Sequence, residues 1–252
     1  MRRPFVLLLL VLFAAPMAHA QKRGWGSTWT ESRTANDQVA RDLAKKLAAH
    51  VVAKDAKAAE RDLAAFKKQF PQVARTWMIA ALVHAALHRY DRALEDCAVA
   101  LPLIRAQSPI AEGEVYELRA QIHYAMRNYP AARADFEKAL STNKRNYVFA
   151  NDLAWFLATC PDAQARDGKR AVKLAREACA ATGNREAGLL DTLAAAEAES
   201  GKFDAAVRDQ KRANAAFKDA RLVGGQKRLA LYQQHQPYRE QRAPLANLPL
   251  DR

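Results

Sequence analysis

Between residues 146 and 217 one arrangement of apolar, small and polar positions occurs twice, and it predicts two consecutive helix pairs. The run NYVFANDLAWFLATC leads through a short polar insertion into RAVKLAREACAATG, and then into EAGLLDTLAAAEAESGKFDAAVRDQKRANAAF. Each pair opens on a Leu-Ala step, Leu153-Ala154 and Leu193-Ala194. Each continues with small or polar residues at helical spacing, Ala171, Ala175 and Ala178, then Ala206, Gln210 and Ala213. Gly201, Phe203 and Asp204 fall at the turn of the second pair. Small residues let two antiparallel backbones approach, and large apolar residues fill the space to the next pair. One pair cannot bury its apolar face alone, so such units must stack.

Sliding this template along the chain gives further pairs at 36–50 with 55–69, at 74–105 and at 114–142, besides 146–182 and 186–217. A last helix is expected over 219–235, with Gly224-Gly225 as a possible early break. The equivalent alanines are Ala59, Ala93, Ala132, Ala171 and Ala206, at intervals of 34, 39, 39 and 35. Two features account for the longer intervals: a connection at 102–113 holding Pro102, Pro109 and Gly113, and the insertion from Pro161 to Gly168. Tyr90-Asp91 is expected to make a turn with Asp91 as the N-cap. The first pair fits least well, with Lys46 where Leu is usual, as suits a terminal unit with a polar outer face.

The third pair carries Tyr116, Ala120, His123, Tyr129, Ala132, Phe136, Ala139 and Leu140 at the template positions. With the Leu-Ala…Ala-x3-small-x2-Ala pattern, the chain resembles the tetratricopeptide repeat, a helix–turn–helix unit of about 34 residues. The resemblance spans roughly residues 36–235. It implies an all-α, right-handed superhelical solenoid of about five hairpins with a C-terminal capping helix. It also implies a protein-interaction scaffold without chemistry of its own, whose first helices line a concave groove. Position by position, the groove residues would be Arg75, Met78 and Leu82, then Glu114, Glu117, Gln121 and Tyr124. Asn151, Asp152 and Trp155 would follow, then Asp191, Ala195 and Glu199. Trp155 suits either the groove or the packing between hairpins. This lining, apolar at one end and acidic further on, departs from the carboxylate clamp of some family members, which needs clustered Lys, Arg and Asn. A basic or amphipathic peptide or partner helix is the better-matched ligand.

Residues 1–20 read as a secretory signal peptide. Arg2 and Arg3 form a basic start, Phe5 to Ala15 an apolar run shorter than a membrane span, and Ala18-His19-Ala20 a cleavage site. No Cys follows the cleavage site, which argues against a lipoprotein anchor. An uncleaved anchor is the alternative. Export to a periplasm is the expected destination, with extracellular release second. Residues 21–35 read as a flexible lead-in whose Trp25 and Trp29 dock on the chain's own first helices, with a partner as the alternative, and 236–252 as a Pro-containing extended tail.

Abundant Ala with only nine Gly and ten Pro suits helices, and the formal net charge is +13. That excess opens a second reading, a basic envelope protein holding anionic polymer or lipid headgroups on its convex face, with Arg133, Arg166, Lys169, Arg170, Lys173 and Arg176 among the residues that would carry it. RNA binding is disfavoured by the leader and by the lack of stacking aromatics among the basic residues.

Candidate chemistry is sparse. Cys97, Cys160 and Cys179 have no metal spacing and read as small buried hydrophobes rather than bridge partners. His84 and His88 share a helix face, but Ala85 stands where a zincin motif needs Glu, and His84 aligns with His123 at a core position. No GxSxG, P-loop or GxGxxG is present. Neither an enzyme nor a cofactor is expected.

Overall fold

A computed structural model describes residues 35–105, 109–217 and 221–240. The leader, the lead-in with Trp25 and Trp29, and the tail beyond Glu240 lie outside the described residues. Eleven α-helices and one 3-10 turn make up the regular structure of the described residues, with no strand among them. They are α1 (Ala35–Ala53), α2 (Ala56–Gln69), α3 (Ala74–Ala86), α4 (Tyr90–Arg105), α5 (Pro109–Ala125), α6 (Tyr129–Thr142), α7 (Tyr147–Thr159), the 3-10 turn Ala163–Ala165, α8 (Gly168–Ala181), α9 (Ala187–Glu199), α10 (Phe203–Ala216) and α11 (Arg221–Gln233).

Helix starts are written locally. Asp55 accepts from the Ala58 N–H at 2.9 Å, Asn146 from the Val148 N–H at 2.9 Å, and Asp167 from the Arg170 N–H at 3.0 Å. Each satisfies one of the donors that a helix N-terminus leaves open. Several helix ends use a left-handed residue: His88, Arg127 and Gly201, with φ of 59°, 61° and 78°, follow α3, α5 and α9. The chain then turns back on itself, as where the Arg89 N–H donates to the His84 carbonyl at 2.8 Å.

Three local expectations are corrected. The connection expected at 102–113 is short, because α4 runs through Pro102 to Arg105 and α5 begins on Pro109. Pro102 sits near the helix end, where the one lost backbone donor is tolerable, and Pro109 takes the first helical position, where its missing N–H costs nothing. Asp91 lies inside the first turn of α4 rather than capping it, and there it still favours the positive end of the helix dipole. Gly224-Gly225 does not break α11. Gly225 is buried against Gln210 and Asn214 of α10, where a Cβ would collide with the Asn214 carboxamide, so the glycine admits a close crossing.

The described helices divide into two compact units, split in sequence between Asn128 and Tyr129. In the first, α1 packs on α2 and α3 on α4, while α1 and α2 reach α3, and α3 and α4 reach α5. In the second, α7 packs on α8, α9 on α10 and α10 on α11, while α8 and α7 reach α9 and α6 reaches α7. Within each unit the helices thus pack in adjacent pairs, a helical-repeat arrangement. The template alanines Ala59, Ala93, Ala132, Ala171 and Ala206 are all 0 % exposed, as are Ala81, Ala120, Ala154 and Ala194 of the first helices. The small side chains that the repeat places at its crossings are therefore buried.

A polar rung recurs in this core. The His50 ring lies 3.1 Å from Asp62 and the His84 ring 2.6 Å from Asp96, each pair twelve residues apart and joining the two helices of one hairpin. Lys67 reaches Asp96 at 2.5 Å. In the last hairpin Glu197 takes the histidine's place, twelve residues before Asp209; burial pushes its carboxyl above the usual range, and Arg176 donates to it at 3.2 Å. His123 and Asp135 stand at the same spacing in the sequence. Buried polar groups need such partners, because an unmatched one loses its hydration without return.

Candidate partner-binding groove

In the second unit, α7 carries Asn151, Asp152 and Trp155, and α9 carries Asp191, Ala195 and Glu199. The structure brings Trp155, Asp191 and Glu199 together on one face, and the chain's own C-terminal segment occupies that face. Arg228 of α11 forms a two-pronged pair with Asp191, its Nε donating at 2.8 Å and its Nη2 at 2.7 Å. Asp191 is 0 % exposed and Arg228 5 %. At that depth either charge alone would be costly, and the planar guanidinium meets both carboxylate oxygens. Gln210 adds a third bond to Asp191 at 2.9 Å.

Beyond α11 the chain turns at His235, with φ of 57°, whose ring stacks on Phe203 with centroids 5.1 Å apart. Residues 237–240 then run without regular structure along α7. The Tyr238 ring lies 6.0 Å from that of Trp155, and the Arg228 guanidinium is 5.5 Å from both ring centres. Arg239 pairs with Glu199 at 2.5 Å. The Glu240 N–H donates to the Thr159 carbonyl at 2.9 Å, and its carboxylate accepts from the Trp155 indole N–H at 2.8 Å. Thr159 ends α7, where helix carbonyls lack intrahelical donors, so an extended segment finds an acceptor ready.

The inserted loop before α8 supports this face from below. Asp162 caps the 3-10 turn, and Arg166 donates to the Cys160 and Pro161 carbonyls at 2.9 and 3.1 Å and to Glu199 at 2.9 Å. Glu199 is thereby held between Arg166 and Arg239. Asn151 donates to Asp152 at 3.1 Å, and both are half-buried. Ala195 is in the core.

The first unit arranges its residues differently. Leu82 is buried in the core at 4 % exposure rather than facing out. Arg75, Met78, Gln121 and Tyr124 are half-buried, and Gln121 donates to Glu117 at 3.2 Å. Glu114 and Glu117 are buried, not displayed. Burial pushes the Glu114 carboxyl up to about 7, against the opposing pull of the Arg75 charge. Here the acidic stripe expected as lining is largely internal.

Cys97, Cys160 and Cys179 are buried and unbridged, and burial pushes the Cys160 and Cys179 thiols up to about 11, far from the thiolate form. No metal-holding cluster of His, Cys, Asp or Glu occurs among the described residues. No helix among them is long and apolar enough to cross a membrane.

The contacts that sequence reasoning missed are Arg228, Tyr238, Arg239, Glu240 and the Thr159 carbonyl. The one signal for them was charge complementarity: an acidic groove and a basic segment in the same chain. No protein-family model matches this sequence, and no curated protein matches it.

Proposed function

We propose that this chain is an exported, non-catalytic interaction scaffold of tetratricopeptide-repeat type, which receives a basic or amphipathic segment on the face formed by its first helices. The observation that carries this reading is the α7/α9 face itself. There Trp155, Asp191 and Glu199 already hold arginines and a tyrosine of the same chain. An aromatic flanked by carboxylates and an open helix C-terminus suits an Arg- and Tyr-bearing segment in extended form, with backbone and side chain read together.

The convex-face alternative draws less support. Of its basic residues, Arg133 and Arg170 pair with Glu137, Arg166 with Glu199 and Arg176 with Glu197. Those charges are already partly neutralised within the fold.

The test measures binding of synthetic basic amphipathic peptides, acidic control peptides and anionic lipid vesicles to the chain lacking its leader, at low and high salt. A parallel series uses the Trp155→Ala and Glu199→Lys variants. The expected result is preference for the basic peptides, retained in part at high salt and reduced at least tenfold by either substitution. Binding only to the vesicles, lost with salt and indifferent to both substitutions, would move the functional surface to the convex face, since exposed charge is screened within about 10 Å at 0.1 M salt.

A further inference from the structure

The α7/α9 face is not an open groove. Its contacts with residues 238–240 form a complete recognition set: a ring against Trp155, a guanidinium on Glu199, a backbone N–H on the Thr159 carbonyl, and a carboxylate on the indole N–H. The two ends of this segment differ in kind. Arg228 is anchored at depth in α11 on fully buried Asp191, whereas Arg239 keeps 32 % of its side chain exposed and Glu199 13 %. The four residues from Pro237 to Glu240 are all half-buried and lie outside any helix. Ordering such a strand costs conformational entropy at every residue, which offsets much of what its few part-buried bonds return.

We propose that residues 237–240, Pro-Tyr-Arg-Glu, are a resident occupant of the partner site, and that a partner binds by presenting the same chemistry in an extended segment and displacing them. Partner and strap then compete for Trp155, Glu199 and the end of α7, while Arg228 and Asp191 stay in place and keep α11 docked. This proposal rests on the binding reading above and adds the partner's chemistry and the competition to it. The observed affinity of any partner is its intrinsic affinity reduced by the fraction of chains whose strap is closed.

The test uses the full chain without its leader and, as probe, a labelled peptide with the sequence of residues 234–243. Opening the strap by Tyr238→Ala with Arg239→Glu is expected to tighten binding of this peptide in trans at least tenfold relative to the unaltered chain. Adding Glu199→Arg to that variant is expected to abolish the gain. Because Tyr238 and Arg239 lie beyond the last helix, thermal unfolding of the opened variant should match that of the unaltered chain. Equal binding to the unaltered and opened chains, or no binding to either, overturns the resident strap. A foreign basic peptide that binds both chains equally overturns the strap and leaves the scaffold reading standing. The chain's own peptide binding the opened variant while no foreign basic peptide does so upholds the strap and removes the scaffold reading.

Discussion

Glu114 shows how much a single buried carboxyl can weigh. Its ordinary value is 4.5, and burial raises it to about 7, with the Arg75 charge pulling the other way. The folded chain therefore keeps this proton after the unfolded chain has lost it. Its contribution to stability is full below about pH 4.5, falls as pH rises toward 7, and levels off above that. Glu114→Gln removes the dependence. Urea unfolding is expected to find the variant more stable than the unaltered chain by about 1–3 kcal/mol at pH 8, and nearly equal to it at pH 4. A constant difference at both pH values would mean that Glu114 ionises as freely in the fold as in water. Asp62 has the opposite sign. Its bonds from Lys46, Arg61 and His50 hold it down at about 2, so its contribution is present at neutral pH and disappears as pH falls from about 3.8 through 2. The residue identities were plain in the sequence, but the environments were not. Glu114 was read as groove lining because its template position faces the concave side, and a position in a template does not report depth.

At the scale of elements, the hairpins depend on a few places where backbones touch. Gly168 opens α8, and a Cβ there would stand 2.9 Å from the Ser200 amide nitrogen and 3.0 Å from the Glu199 carbonyl carbon. Those are backbone atoms at the end of α9 and cannot rotate aside. Gly168→Ala is therefore expected to destabilise the chain by about 1–3 kcal/mol, read as a lower urea midpoint with an unchanged slope. An unchanged midpoint would mean that α8 and α9 slide apart without cost. Gly188 provides the comparison, since a Cβ added there meets nothing within 4 Å. The sequence marked the insertion between Pro161 and Gly168 as the cause of a long repeat interval. It did not indicate that the insertion folds back through Arg166 to brace Glu199, because that bond joins residues 33 apart.

At the scale of the whole molecule, part of the basic charge behind the formal +13 is matched locally. Arginines are drawn into pairs with Glu60, Glu137, Glu197, Glu199, Asp191 and Asp209. Charge that is matched locally steers a partner less than its sum implies. The export part of the proposed function makes a prediction at this scale. Intact mass measurement of the chain recovered from an exporting cell is expected to correspond to a start at Gln21, after Ala18-His19-Ala20. A mass retaining Met1 to Ala20 would make the N-terminal apolar run an anchor.

The sequence by itself determined that the chain is helical, that its helices come in pairs, and which alanines sit at the crossings. Those features are local: propensity, capping and the three-to-four-residue spacing of small and apolar positions act within one or two turns, and the crossings at Ala59 through Ala206 follow from them. What only the tertiary structure decided is which of the acidic positions stay open. Asp191 and Glu199 share a stripe on α9, yet Asp191 is sealed by Arg228 from 37 residues away and Glu199 is held between Arg166 and Arg239. Trp155, which suited core or groove equally, lies half-buried with its indole on Glu240, 85 residues on. No periodicity links such distant partners. They are selected by the geometry of the packed chain, where burying a charge or an indole N–H requires that a partner arrive with it.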